Sequence, residues 1–181
     1  MDDNPLLWPI RAFVYGHFAA TTAAPTAAEV AAHFAIPTTE AEAVLRALHD
    51  RHALFLEPGT TAIRMANPFS AVATPYRVTI GPRAYRANCA WDCFGVVAAL
   101  GATEATIDAP CAATGQALRV VVAGGALHYD GRPVVDGAPL ADGRPLADGL
   151  PIADGLPIAD GLPIAHFLVP FAHWYDDLVH T

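Results

Sequence analysis

Two thiols and a carboxylate lie within five residues of one another, in Asn88-Cys89-Ala90-Trp91-Asp92-Cys93, in a chain with only three cysteines. On a helix, Cys89 and Cys93 share a face, and Asp92, three residues past Cys89, falls on the same side. Thiolates are soft ligands that select zinc, copper(I) and still softer ions such as mercury. The expected metal ligands are therefore Cys89 and Cys93. Cysteine reacts as the thiolate, which a helix N-terminus or a nearby cation stabilises. Cys89 is expected in the first helical turn with Arg83 and Arg86 just upstream, an arrangement that favours the thiolate. Asp92 acts in the opposite sense, since a second negative charge raises both pKa values. A carboxyl group kept protonated in this way can serve as a general acid. The competing reading is core packing, because free cysteine is among the most buried residue types. A four-ligand structural zinc site has less support, since the eight histidines are scattered and none forms a ligand-spaced pair with Cys89.

The elements that must carry these groups follow from periodicity. Apolar residues at Leu7, Ile10, Phe13, Val14 and Phe18 have helical spacing and predict a helix over 6–20, with Pro9 tolerated near its start. Thr26-Ala27-Ala28-Glu29 has capping-box form and opens a second helix to about Phe34. A third is expected from about Thr39, with Glu42 in the matching cap position. Residues 53–56 and 62–65 flank Glu57-Pro58-Gly59-Thr60 and read as a hairpin. Three helices followed by a hairpin predict a winged-helix-like domain over 1–70, with Asn67-Pro68-Phe69-Ser70 as the linker. Beyond it, a strand at 76–80, a cysteine-bearing helix at 88–100, a strand near 105–107 and a strand pair at 117–123 and 126–129 across Gly124-Gly125 predict a mostly antiparallel sheet domain. The fold class expected is α+β, its second domain comprising 71–129 and 166–181.

From Asp130 to Ala165 the chain repeats with a period of six, and the last three units are identical. Solenoid strands rarely accept a proline in every turn, so an irregular insert is expected, with a further strand at 166–171. The net charge of −8 opposes a nucleic-acid surface, and the expected third helix carries Glu40, Glu42, Arg46, Asp50 and Arg51 rather than a basic stripe. No apolar run approaches the roughly 20 residues of a membrane span. An odd, small number of cysteines and no basic N-terminal region point to reduced thiols in a cytoplasm.

Arg86-Ala-Asn-Cys89-Ala-Trp-Asp92 resembles the catalytic segment of the organomercurial (alkylmercury) lyases, which reads Cys-Ala-Leu-Asp or a close variant. Asp108-Ala-Pro-Cys111-Ala-Ala-Thr-Gly115 resembles that family's second signature. The resemblance implies protonolysis of a carbon–mercury bond, with Cys89 as the first mercury-binding thiolate, Asp92 as the residue that moves the proton, and Cys111 as structural. It implies no organic cofactor: mercury is substrate and product ion, and low-molecular-weight thiols collect it. The departure is that the family uses a second catalytic cysteine late in the chain, whereas here no cysteine follows Cys111. Three explanations stand beside one another. The chain is a shortened form, Cys93 replaces the late cysteine, or the protein binds soft metals and organometals without cleaving them. A winged-helix regulator is the remaining alternative.

Overall fold

The structure, a computed structural model, describes residues 4–110, 115–129 and 132–134. Cys111, the repeats over 130–165 and the strand expected at 166–171 lie outside the described residues. The chain divides into two compact units, Met1–Arg132 and Pro133–Thr181. All the elements described belong to the first, apart from the end of the last strand.

Three helices come first: α1 (Leu7–Thr21), α2 (Ala27–Phe34) and α3 (Thr38–Asp50). The expected face of α1 is the buried one, through Leu7, Ile10, Val14 and Phe18. The α2 capping box forms as expected. The Glu29 amide donates to the Thr26 hydroxyl at 3.2 Å, and the Thr26 amide donates to the Glu29 carboxylate at 2.7 Å. The corresponding box does not form on α3, which starts at Thr38 behind Pro37 with no side-chain cap. Pro37 carries an extended φ that leads into the first turn, and Glu42 instead pairs with Arg46 at 3.3 Å.

A three-stranded antiparallel sheet follows, in the order β1 (Phe55–Leu56), β2 (Ile63–Ala66), β3 (Phe69–Ser70). The expected hairpin is β1–β2, turned through Gly59 with its φ of 72°. Residues 67–70 are not a linker. The peptide bond Asn67–Pro68 is cis and leads directly into β3, whose Phe69 is buried. An Asn-Pro pair does mark a turn, but the apolar residue after it pairs with β2 and stacks on Phe18, with ring centroids 5.3 Å apart and planes 9° from parallel.

The larger sheet runs β5-β4-β6-β7-β8, antiparallel at each of these pairings: β4 (Arg77–Ile80), β5 (Arg83–Arg86), β6 (Ala105–Pro110), β7 (Ala117–Ala123) and β8 (Ala126–Tyr129). A short β9 (Arg132–Val134) ends the described chain. Val78, Ile107, Val120 and Val122 turn to the core, with exposed or half-buried residues between them along the strands. Helix α4 (Ala90–Ala99) packs Cys93 and Val96 against this face. Helices and sheets share one core: Phe69 meets Phe18 from α1 and Tyr85 from β5, and the Tyr85 hydroxyl donates to the Ala19 carbonyl at 2.8 Å. The fold is α+β, with three helices and a hairpin ahead of an antiparallel sheet that carries a cysteine-bearing helix.

Candidate active site

The site is assembled around the start of α4. Residues just before it are pinned to the sheet: Phe69 bridges Ala87, the Ala87 amide donates to Tyr76, and the Thr74 hydroxyl donates to the Ala87 carbonyl at 2.7 Å. That anchoring sets where Asn88 and Cys89 emerge. Helix α4 starts two residues later than expected, which leaves Cys89 ahead of its first turn. The cysteine is the N-cap, with φ −149° and ψ 178°. Its Sγ accepts from the Asp92 amide at 3.5 Å, the place a serine or aspartate oxygen usually takes. The sulfur is half-buried and points at the positive end of α4.

Asp92, half-buried, is the third residue of that helix. Its Oδ2 accepts from the Asn88 side-chain amide at 3.0 Å, and its backbone amide is the one that meets the Cys89 sulfur. Burial raises the Asp92 pKa, and the Asn88 hydrogen bond, followed by the nearby Cys89 thiol, pulls it back only in part. The Cys89 pKa is also raised, first by burial and then by the Asp92 charge. Hydrogen bonds from the Asp92 and Trp91 amides lower it, while the nearby Asp92 side chain raises it. The expected help from Arg83 and Arg86 is not realised. Both sit exposed on β5, and the groups that act on Cys89 are Asp92 and the two amides. The thiol and the carboxyl group are thus neighbours at one helix start, each of them less acidic than its free counterpart.

Cys93 is on the same helix, but its sulfur is sealed in the core at 0% exposure. Its thiol donates to the Cys89 carbonyl at 3.5 Å. Burial, followed by the charges of Cys89, Asp92 and Asp108, pushes its pKa up to about 12. Of the two expected ligands, then, one reaches the surface and one does not. Among the described residues, no three His, Cys, Asp or Glu side chains gather as they would around a metal ion.

Several neighbours were not singled out by sequence. Tyr76 lies close enough to both thiols that they add to the burial already raising its pKa. Tyr15, on α1, feels Asp92 and donates to the Asn67 carbonyl at 2.8 Å. Asn67 in turn accepts from Asn88 at 3.1 Å. Only Asn88 had a local signal, as an amide side chain directly before the thiol. The others come from 13 or more residues before Cys89 in the sequence, through long-range packing.

The family model for alkylmercury lyase matches residues 69–140, from β3 through α4 and the larger sheet. No curated protein matches the chain. Among solved structures, one described as the mercury-bound form of MerB2 is similar in fold, with a TM-score of 0.58 and 24% identity over 80% of this chain and 70% of the other. The match to the family model takes in Cys89, Asp92 and the strands that flank them, so over residues 69–140 this chain is similar to the alkylmercury lyases.

Proposed function

We propose that the protein cleaves carbon–mercury bonds by thiolate-assisted protonolysis, with Cys89 as the mercury ligand and Asp92 as the proton carrier. The observation that carries this reading is the Cys89–Asp92 pair itself: a partly accessible thiol capping a helix N-terminus, its sulfur accepting from the Asp92 amide, beside a half-buried carboxyl group of raised pKa. As an organomercurial approaches, the Cys89 proton passes to Asp92. The thiolate displaces the counter-ligand from mercury and adds electron density to the metal. Asp92 then returns the same proton to carbon, and the carbon–mercury electron pair becomes the new carbon–hydrogen bond. Hydrocarbon leaves, Hg(II) remains on Cys89, and Asp92 is ionised again. Two external thiols remove the ion as a dithiolate, restore the Cys89 proton and release one proton to solvent. Purified protein is expected to release hydrocarbon from an alkylmercury chloride in excess thiol, and Cys89→Ser to abolish that release. Turnover that survives the substitution overturns the assignment.

A second reading, a soft-metal binder without cleavage, is favoured by one observation. With Cys93 sealed, mercury at Cys89 has one accessible thiolate among the described residues. This reading predicts stoichiometric Hg(II) binding and no hydrocarbon. For Cys93 to act as the second ligand, the first turn of α4 would have to open. A DNA-binding role has the weakest support: on α3, Arg46 is paired with Glu42, and nearby Arg51 donates to the Ala47 carbonyl. No helix among the described residues is long and apolar enough to cross a membrane. The cytoplasm is the proposed setting, on the small, odd number of cysteines.

A further inference from the structure

We infer that Asn88 is a positioning residue, its side-chain amide fixing the Asp92 carboxyl group against the Asn67–Pro68 turn so that the acid faces the Cys89 sulfur. The inference rests on the reading of Asp92 as the proton carrier. Asparagine beside a helix start ordinarily offers its carbonyl oxygen to the first free amides. Here Cys89 takes the capping role, and Asn88 uses its NH2 group instead. That nitrogen lies 3.0 Å from Asp92 Oδ2, 3.1 Å from Asn67 Oδ1 and 3.4 Å from the Pro68 carbonyl oxygen. Two N–H groups are thus directed at three acceptors, one of them the reacting carboxylate and the others on a separate element.

The far end is held as well. The Arg11 guanidinium donates to the Ala53 carbonyl at 3.1 Å and to the Tyr15 hydroxyl at 2.9 Å, and Tyr15 donates to the Asn67 carbonyl at 2.8 Å. Pro68 packs on α4 so closely that a Cβ at Gly95 would lie 2.9 Å from the Pro68 Cβ. The turn that receives Asn88 is therefore pinned from α1 on one side and from α4 on the other. With Oδ2 held by the amide, the carboxyl cannot rotate freely beside the Cys89 sulfur. Proton delivery to a carbon bound at Cys89 depends on the carboxyl group's orientation, whereas binding of mercury to the sulfur does not.

Two measurements on the full chain test this. In steady-state cleavage of an alkylmercury chloride with excess thiol, Asn88→Ala should lower kcat about tenfold or more while KM stays within about twofold. In a 1H–15N spectrum, the Asn88 side-chain amide signals, assigned by triple-resonance spectra of the unsubstituted protein, should move when Asp92 is changed to Asn. An unchanged kcat in Asn88→Ala, or Asn88 signals indifferent to Asp92→Asn, overturns the inference. If the unsubstituted protein releases no hydrocarbon, the lyase reading fails, and the spectrum alone decides whether Asn88 holds Asp92. It also decides if Asn88→Ala does not fold, because Asp92→Asn preserves the size and shape of the side chain.

Discussion

At the scale of single residues, two cysteines one helical turn apart have opposite fates because one caps the helix and the other packs beneath it. Cys89 is accessible and Cys93 is sealed. Iodoacetamide on the native protein is expected to modify Cys89 and spare Cys93, and mass mapping of the peptides checks this. Because burial and Asp92 raise the Cys89 pKa, its alkylation rate should still be climbing at a pH where an ordinary thiol has levelled off. The Cys93 shift carries a stability consequence. In the unfolded chain this thiol ionises near 9, whereas in the folded protein it keeps its proton to about 12. Across that window the unfolded state gives up a proton that the folded state retains, so stability falls as pH rises. Denaturant midpoints measured from pH 8 upward should decline less steeply in Cys93→Ala than in the unsubstituted protein. Equal slopes would show that Cys93 does not hold its proton on folding.

At the scale of elements, the site depends on α4 lying tight against the Asn67–Pro68 turn. Glycine to alanine within a helix ordinarily stabilises by about 1 kcal/mol. At Gly95 the added Cβ would meet the Pro68 ring at 2.9 Å, and a proline ring cannot swing aside. Gly95→Ala should therefore be destabilising, with a lower denaturation midpoint, and a gain in stability would contradict the packing described. Thr26→Ala, which removes the α2 cap, should cost about 1 kcal/mol by the same assay. Elements with local signals were legible in the sequence. The capping box opened α2 where expected, and Gly124-Gly125 turned β7 into β8 at the expected residues. Helix α4 began two residues later than expected, because an extended cysteine can cap and nothing in its neighbours announces that. Strand β5 gave no signal: it is four residues long, and only Tyr85 is buried. Its one cue was Gly81-Pro82, a turn pair after Ile80, with Gly81 at φ 54°. Within the site, Cys89 and Asp92 were legible from type and spacing. The sealing of Cys93 was not, because burial depends on the sheet that α4 covers.

At the scale of the molecule, the helices and the sheets of Met1–Arg132 stand or fall together, because Phe69 joins them. Its ring stacks on Phe18 and contacts Tyr85 and Tyr15. Phe69→Ala should cost about 3–5 kcal/mol, as expected for a large buried ring, and should lower the helical circular-dichroism signal and the sheet's amide protection in one step. Separate transitions for the helical and sheet parts would contradict a shared core. This residue came from a stretch that reads as linker, so the continuity of the core was the least legible feature of the sequence. An Asn-Pro turn and two apolar or small residues carry no mark of the long-range pairing that buries them.

On the proposed mechanism, Asp92 delivers to carbon the proton that Cys89 gave up. Gas chromatography of hydrocarbon released in a single turnover, alongside a count of mercury retained by the protein, tests it directly. The unsubstituted protein should bind one organomercurial and release one hydrocarbon. Asp92→Asn should bind the same amount through Cys89 and release about a hundredfold more slowly. Equal release from the two proteins, or bound organomercurial that neither one cleaves, would contradict it.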